Sequence, residues 1–261
     1  MKKLIAMLLA LVMVCSLVAC GEKAPEAAPE TQPATEAPAT EAPTEAEVEE
    51  ETEEAAPEVA VMTYEEYLAA ELDSEVVIET YVQAHQSWWD NKITVYCQDE
   101  EGAYFLYELA CSEEDAANLV PGTKIRVTGY KGEWAGEVEI MDGTFEFVEG
   151  ADFTYIGAND YTDLLGTDEM INHQNELAAF FGMTVEAIEY KNGEPGDDIY
   201  LTLGKDGASY NFCVEVYLTG PDSEVYTTVG ELAVGDVVNV EGYLYWYEGM
   251  NPHVTSIAIA E

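Results

Sequence analysis

The sequence predicts an all-β protein with short helices, in which one five-strand unit is written twice behind an export signal and a disordered acidic linker. Three observations carry this expectation. The first is internal self-similarity: Leu119-Val120-Pro121-Gly122-Thr123-Lys124-Ile125-Arg126-Val127-Thr128-Gly129-Tyr130 aligns with Leu232-Ala233-Val234-Gly235-Asp236-Val237-Val238-Asn239-Val240-Glu241-Gly242-Tyr243. The second is a hydrophobic period of two through both copies, the period of strands. The third is a break in composition near residue 60, because residues 22–60 hold six of the ten prolines. The expected division is 1–20 signal, 21–60 linker, 61–150 first unit and 151–261 second unit.

Lys2-Lys3 and the apolar run Leu4 to Leu17 form an export signal, since a run of about 14 residues is short for a spanning helix. It ends in Leu17-Val18-Ala19-Cys20-Gly21, which resembles the lipobox of bacterial lipoproteins. That resemblance implies lipidation of Cys20 and an anchor in the outer face of the cell membrane, because thioether-linked diacylglycerol supplies two chains at once. Residues 21–60 carry thirteen Glu and one Lys, −12 in all, and the Glu47–Glu54 run repels itself. With so much Pro, Ala and Thr this stretch reads as an extended, disordered tether.

The first unit opens with a helix from Thr63 to about Leu72, where Thr63 and Glu66 form a capping box. Strands follow near 76–84, 92–98, 103–110, 123–131 and 136–148, the last with an expected break at Asp142-Gly143. Ser112 to Leu119 reads as a helical turn with acids at its positive end. In the second unit Thr167 corresponds to Thr63 and opens a short helical stretch, followed by strands near 178–190, 198–204, 208–218, 236–246 and 253–260. Ile93, Val95 and Cys97 align with Ile199, Leu201 and Leu203, and Phe105, Tyr107 and Leu109 with Tyr210, Phe212 and Val214. The offset grows through about eight extra residues near Gly220–Thr228.

Five strands with a helix between the third and fourth follow the order of an OB-fold, so two tandem OB-like five-stranded barrels are expected after the linker. The Leu-x-x-Gly turn feeding a strand that ends Gly-Tyr carries the likeness over residues 63–260. The whole resembles secreted tandem OB-fold lipoproteins of low-GC Gram-positive anaerobes. The resemblance implies a binding or scaffolding module and no reaction.

Charge narrows the partners further. The chain carries −44 from 53 acids and 9 bases, and residues 61–261 alone hold 40 acids against six bases, or −34. Repulsion on this scale disfavours phosphate backbones and anionic lipid, so no nucleic-acid partner is expected. The residues His85, His173 and His253 form no His-x-x-x-His pair, and there is no Cys-x-x-Cys. No metal, cofactor or catalytic set is therefore assigned. A loose, weak Ca²⁺ site remains compatible with the crowding of acids, although no segment has the ligand order of a calcium loop. Cys97, Cys111 and Cys213 are expected to be buried, inert thiols, with Cys97 facing about residue 105 across a hairpin.

What stands out is aromatic placement. Trp88-Trp89 lies between strands one and two, Trp134 between strands four and five, and Trp246-Tyr247 at the four–five connection of the second unit. Those loops are the ones OB-folds use to hold oligonucleotides or oligosaccharides. Trp88, Trp89, Trp134, Trp246 and Tyr247 are therefore the candidate ligand-binding residues; the alternative is that the tryptophans cap their own cores. Adjacent residues in an extended segment point opposite ways, so one of Trp88 and Trp89 can cover the core while the other faces solvent. The first unit is expected to be the better binder, because the second unit's one–two loop, Lys191 to Gly196, has no aromatic. The expected role is a non-catalytic, lipid-anchored extracytoplasmic binding or scaffolding protein for an oligosaccharide or peptide. Its alternatives are a cell-wall hydrolase, which needs two carboxylates facing across a cleft, and a structural spacer.

Overall fold

The structure is a computed structural model that describes residues 60–260. The signal, Cys20 and nearly all of the linker lie outside the described residues, which belong to one compact unit, Ala55–Glu261.

Thr63 caps α1 (Tyr64–Ala69) as its sequence requires: its hydroxyl accepts from the Glu66 N–H, and the Glu66 carboxylate accepts from the Thr63 N–H. The strands β1 (Glu75–His85), β2 (Lys92–Gln98) and β3 (Ala103–Ala110) follow, then the turn α2 (Glu113–Ala116) capped by Ser112, then β4 (Lys124–Trp134) and β5 (Glu137–Phe147). They close into a barrel in the order β1-β2-β3-β5-β4. Val76, Ile78, Val82, Ile93, Val95 and Leu106 fill its interior, and Tyr67 of α1 plugs one end. The Lys131 ammonium is buried beneath that helix and donates to the Tyr67, Leu68 and Ala70 carbonyls at 3.0, 2.8 and 2.9 Å, which satisfies its free C-terminal end. The break expected at Asp142-Gly143 is a bend instead. Asp142 takes φ 49° and the β4–β5 pairing slips between Thr128 and Tyr130, but β5 runs through.

The second unit begins with the two-residue strand β6 (Asn159–Asp160) and two 3₁₀ turns, Thr162–Leu164 and Met170–His173. Thr167 caps no helix there: its hydroxyl donates to the Leu164 carbonyl at 2.8 Å. Then come β7 (Leu177–Tyr190), β8 (Ile199–Lys205), β9 (Ala208–Val214), α3 (Val216–Thr219), α4 (Glu224–Glu231), β10 (Val237–Tyr243) and β11 (His253–Ile259). The sheet runs β10-β11-β9-β8-β7-β6, and β10 also pairs with β7, so the same five-strand ring closes again with β6 added alongside. The third strand stops at Val214, short of the expected 218. The extra residues near 220–228 hold most of α4, which Ser223 caps and which sinks Val225, Tyr226 and Val229 into the second core.

A third apolar cluster belongs to neither barrel. Tyr96 and Phe105 of the first pack against Leu177 and Tyr243 of the second, with the Tyr96 and Tyr243 rings stacked at 4.5 Å. The barrels therefore share a joint, and the joint decides which surfaces remain open.

Candidate functional site

In an OB-like barrel the outward side of strands two and three, flanked by the one–two and four–five loops, is the ligand face. Strand periodicity makes this face easy to follow. In β2, Ile93, Val95 and Cys97 point into the first core, so Thr94, Tyr96 and Gln98 point outward. All three outward residues are nevertheless buried, with Tyr96 at 0% exposure. Phe105 lies directly opposite Tyr96 on β3 and is buried too. The covering layer is the second barrel. The Gln98 side-chain oxygen accepts from the Leu177 N–H at 2.9 Å, the Glu137 carboxyl accepts from the Trp246 N–H at 2.7 Å, and the Tyr96 hydroxyl meets His253 Nδ1 at 2.7 Å. Gly136, at φ +94°, lets the β4–β5 hairpin approach Trp246, since a Cβ there would stand 2.8 Å from the indole.

The corresponding face of the second barrel is open. Tyr200 and Thr202 point outward from β8, and Asn211 pairs with Thr202 across the ladder. The β10–β11 connection folds over them. Trp246 bridges Met250, the Tyr247 N–H donates to the Gly249 carbonyl at 2.8 Å, and the Glu248 N–H donates to the Ala135 carbonyl of the first barrel at 2.8 Å. Gly249 turns the loop at φ +148°. The result is a cleft of about 310 Å³ on the face lined by Tyr200, Thr202, Asn211, Tyr247, Met250 and Asn251. Tyr200 and Tyr247 offer exposed rings, the asparagines offer amides, and Glu189 and Glu248 line the margin as acceptors.

The five sequence-predicted aromatics separate. Trp88 is half-buried against the first core and its indole N–H donates to the Cys111 carbonyl at 2.9 Å, so it is a cap. Trp89, its neighbour, is 79% exposed, as alternation along the chain requires. Both line a second cleft of about 360 Å³ with Lys92, Glu108 and Tyr217, and Trp134 is not among its lining residues. Trp134 stands exposed near the tip of the β4–β5 hairpin. Trp246 packs onto the second core, and Tyr247 alone of the five belongs to the open OB face. Tyr200, Asn211 and Asn251 join the cleft without having been among the expected binding residues. Alternation within the assigned strands marks Tyr200 and Asn211 as outward, and Asn251 lies in the loop just after Trp246 and Tyr247.

The joint holds several strongly perturbed groups. Burial pushes the Glu137 carboxyl up to about 8 and the Glu139 carboxyl to about 7. Glu215 is raised to about 7 by burial and by Asp198, and burial lowers His253 to about 4. Glu137 and Glu139 sit on one strand inside the joint, not across a cleft from each other, which is unlike the hydrolase arrangement. Among the described residues, no group of three or more His, Cys, Asp or Glu side chains is placed to hold a metal. Cys97, Cys111 and Cys213 are free and buried, and burial raises each thiol; Cys97 faces Tyr104 on β3. Lys124 and Arg126 both pair with Glu79 at 2.7 Å and Lys131 is buried, so these three form no open basic groove.

No family model and no curated protein matches the chain. Among solved structures it is similar in fold to the p204 HINb domain (10% identity, TM-score 0.33), covering 73% of this chain and 100% of that one. A murine DNA-binding protein bound with double-stranded DNA matches at 10% identity and TM-score 0.36, covering 71% and 96%. A replication protein A heterotrimer bound to single-stranded DNA matches at 12% identity and TM-score 0.30, covering 72% and 49%. Two expectations are corrected by these structures. The partner set without nucleic acid, and with it the extracytoplasmic role on an oligosaccharide or peptide, run against a fold seen in solved structures bound to both forms of DNA. Net negative charge repels phosphates alone, and an OB face also reads ligands through ring stacking.

Proposed function

We propose that the chain is a non-enzymatic binding module whose working face is the open β8–β9 side of the second barrel. Its ligand chemistry is a flat heteroaromatic ring with N–H donors on its edge, carried by a free nucleoside or by an unpaired base of a single strand. The observation that supports this most is the cleft itself: two exposed tyrosine rings to stack on, asparagine amides to meet a ring edge, and glutamates to accept from exocyclic amines. Base–aromatic stacking contributes about 1–3 kcal/mol per base and requires no phosphate contact. Here phosphates work against binding, since residues 61–261 carry −34. Lipidation of Cys20, and with it a place on the outer membrane face, is proposed separately and is checked by loss of lipid labelling in Cys20→Ala.

Calorimetric titration of nucleosides and of short single-stranded DNA distinguishes the two ligand sources. The reading requires saturable binding of at least one class that Tyr247→Ala weakens about 5- to 150-fold. It also requires that oligonucleotide affinity hold or rise as salt is added, because salt screens the repulsion. No binding by either class, or an oligonucleotide affinity that falls steeply with salt, overturns it.

A further inference from the structure

The cleft of about 360 Å³ at the β1–β2 loop is lined by residues of both barrels. Ser87 fastens the two together there: its N–H donates to the Tyr217 carbonyl at 2.7 Å, and its hydroxyl donates to the same oxygen at 3.2 Å. Tyr217 on α3 and Trp89 on the loop both line the cleft with exposed rings. Trp88 adds a third ring surface and no free donor, since its indole N–H is already held by the Cys111 carbonyl.

The backbone around this cleft takes unusual conformations to place its charged groups. Asp90 and Asn91, at φ 48° and 61°, form a two-residue turn, and Trp89 and Lys92 on either side of it exchange backbone hydrogen bonds of 3.0 and 2.9 Å. Such a pair sets its two side chains on one face. Glu108 on β3 takes φ 48°, a left-handed conformation that costs a residue with a long side chain about 1–3 kcal/mol. Its N–H donates to Thr94 Oγ1 at 3.2 Å, where the β2–β3 pairing shifts between Ile93 and Val95. A bulge of this kind re-aims a side chain, and here the Glu108 carboxylate joins the cleft lining and meets the Lys92 ammonium at 2.6 Å.

We propose that this cleft binds a small, free quaternary ammonium compound, with its methyl groups on the Trp89 and Tyr217 rings and its positive charge beside the Glu108 carboxylate. Aromatic faces attract a cation through their quadrupole, and Trp attracts it most strongly. Residues 61–261 carry −34, which concentrates cations at the surface and repels anions. A fully methylated ammonium has no N–H donor left to satisfy, so it loses little by leaving water for aromatic walls. Lys92 is the partner of Glu108 that such a ligand displaces. Both side chains are exposed, so their pair contributes little, and the lysine ammonium can turn out to solvent on its flexible stem. The site is separate from the β8–β9 cleft and does not depend on the ligand read there.

The test is calorimetric titration of the full chain with choline and with dimethylbutanol, its uncharged carbon isostere. The expected result is saturable binding of choline, with the isostere about 2- to 30-fold weaker, the range of a cation on an aromatic face. Trp89→Leu keeps an apolar side chain without the ring and should weaken choline by a similar factor. Glu108→Gln should weaken it too. Lys92→Gln should strengthen it, because the competitor for Glu108 is gone, whereas a site for an anion would lose its cation and weaken. All three side chains are exposed, so these variants keep the fold. Glycerophosphocholine, a soluble lipid headgroup, should bind more weakly than choline, since its phosphate meets a strongly negative chain. No choline binding, an isostere that binds as well, a Trp89→Leu or Glu108→Gln variant that binds like wild type, or a Lys92→Gln variant that binds worse overturns the proposal. Tighter binding of glycerophosphocholine overturns the free compound as ligand and assigns the cleft to a lipid headgroup.

Discussion

The two barrels share one strand plan and use its ligand face in opposite ways. In the first, Tyr96 and Phe105 point outward from strands two and three and hold the second barrel. In the second, the equivalent positions are Thr202 and Asn211, and with Tyr200 they line an open cleft. The inward residues of both faces are interchangeable aliphatics and aromatics, so the cores do not distinguish the units. The outward rows differ in what meets them: Tyr96 and Phe105 pack on the second barrel, whereas Tyr200, Thr202 and Asn211 line the cleft. Duplication thus gives a protein two copies of a binding surface, one of which can be consumed in fixing the other's position.

The largest expected effect comes from breaking the covered face. Tyr96→Ala removes a ring stacked on Tyr243 and the hydroxyl on His253, and should cost about 3–5 kcal/mol of stability, read from the urea midpoint. Thr202→Ala, at the matching position of the open face, should change that midpoint little. Trp88→Ala comes next, at about 2 kcal/mol, since the side chain is half-buried and satisfies the Cys111 carbonyl. Tyr247→Ala should leave stability near wild type, because the ring is 52% exposed, and weaken ligand binding about 5- to 150-fold, the loss of one stacking platform. The smallest effect belongs to Trp89→Ala. Replacing this exposed ring should move the midpoint by less than about 0.5 kcal/mol and leave the second-barrel ligand unaffected.

Much of the fold was legible. The capping box at Thr63, the limits of β2 and β3, and the repeated Gly-Tyr strand ends follow from local chemistry and period. One slip had large consequences. Aligning Phe105 with Tyr210 placed Phe105 in the core, whereas the register puts Tyr104 opposite Cys97 and Phe105 opposite Tyr96. The cause is a bulge: Glu108 takes φ 48° and the pairing shifts between Ile93 and Val95, so Leu109 points inward while Phe105 and Tyr107 do not. A one-residue phase error turned the joint into core and hid it. Gln98 and Glu137 were hidden for a different reason. Polar residues on the outward side of a strand read as solvated, and only tertiary packing shows that a second barrel covers them.

Chemical-shift mapping of the full chain at pH 6, with a nucleoside added stepwise, tests most directly whether the ligand face is that of the second barrel. The predicted result is movement confined to Tyr200, Asn211, Tyr247 and Asn251, with Tyr96 and Phe105 unmoved. Shifts centred on Trp89 and Tyr217, or on Tyr96 and Phe105, would contradict it.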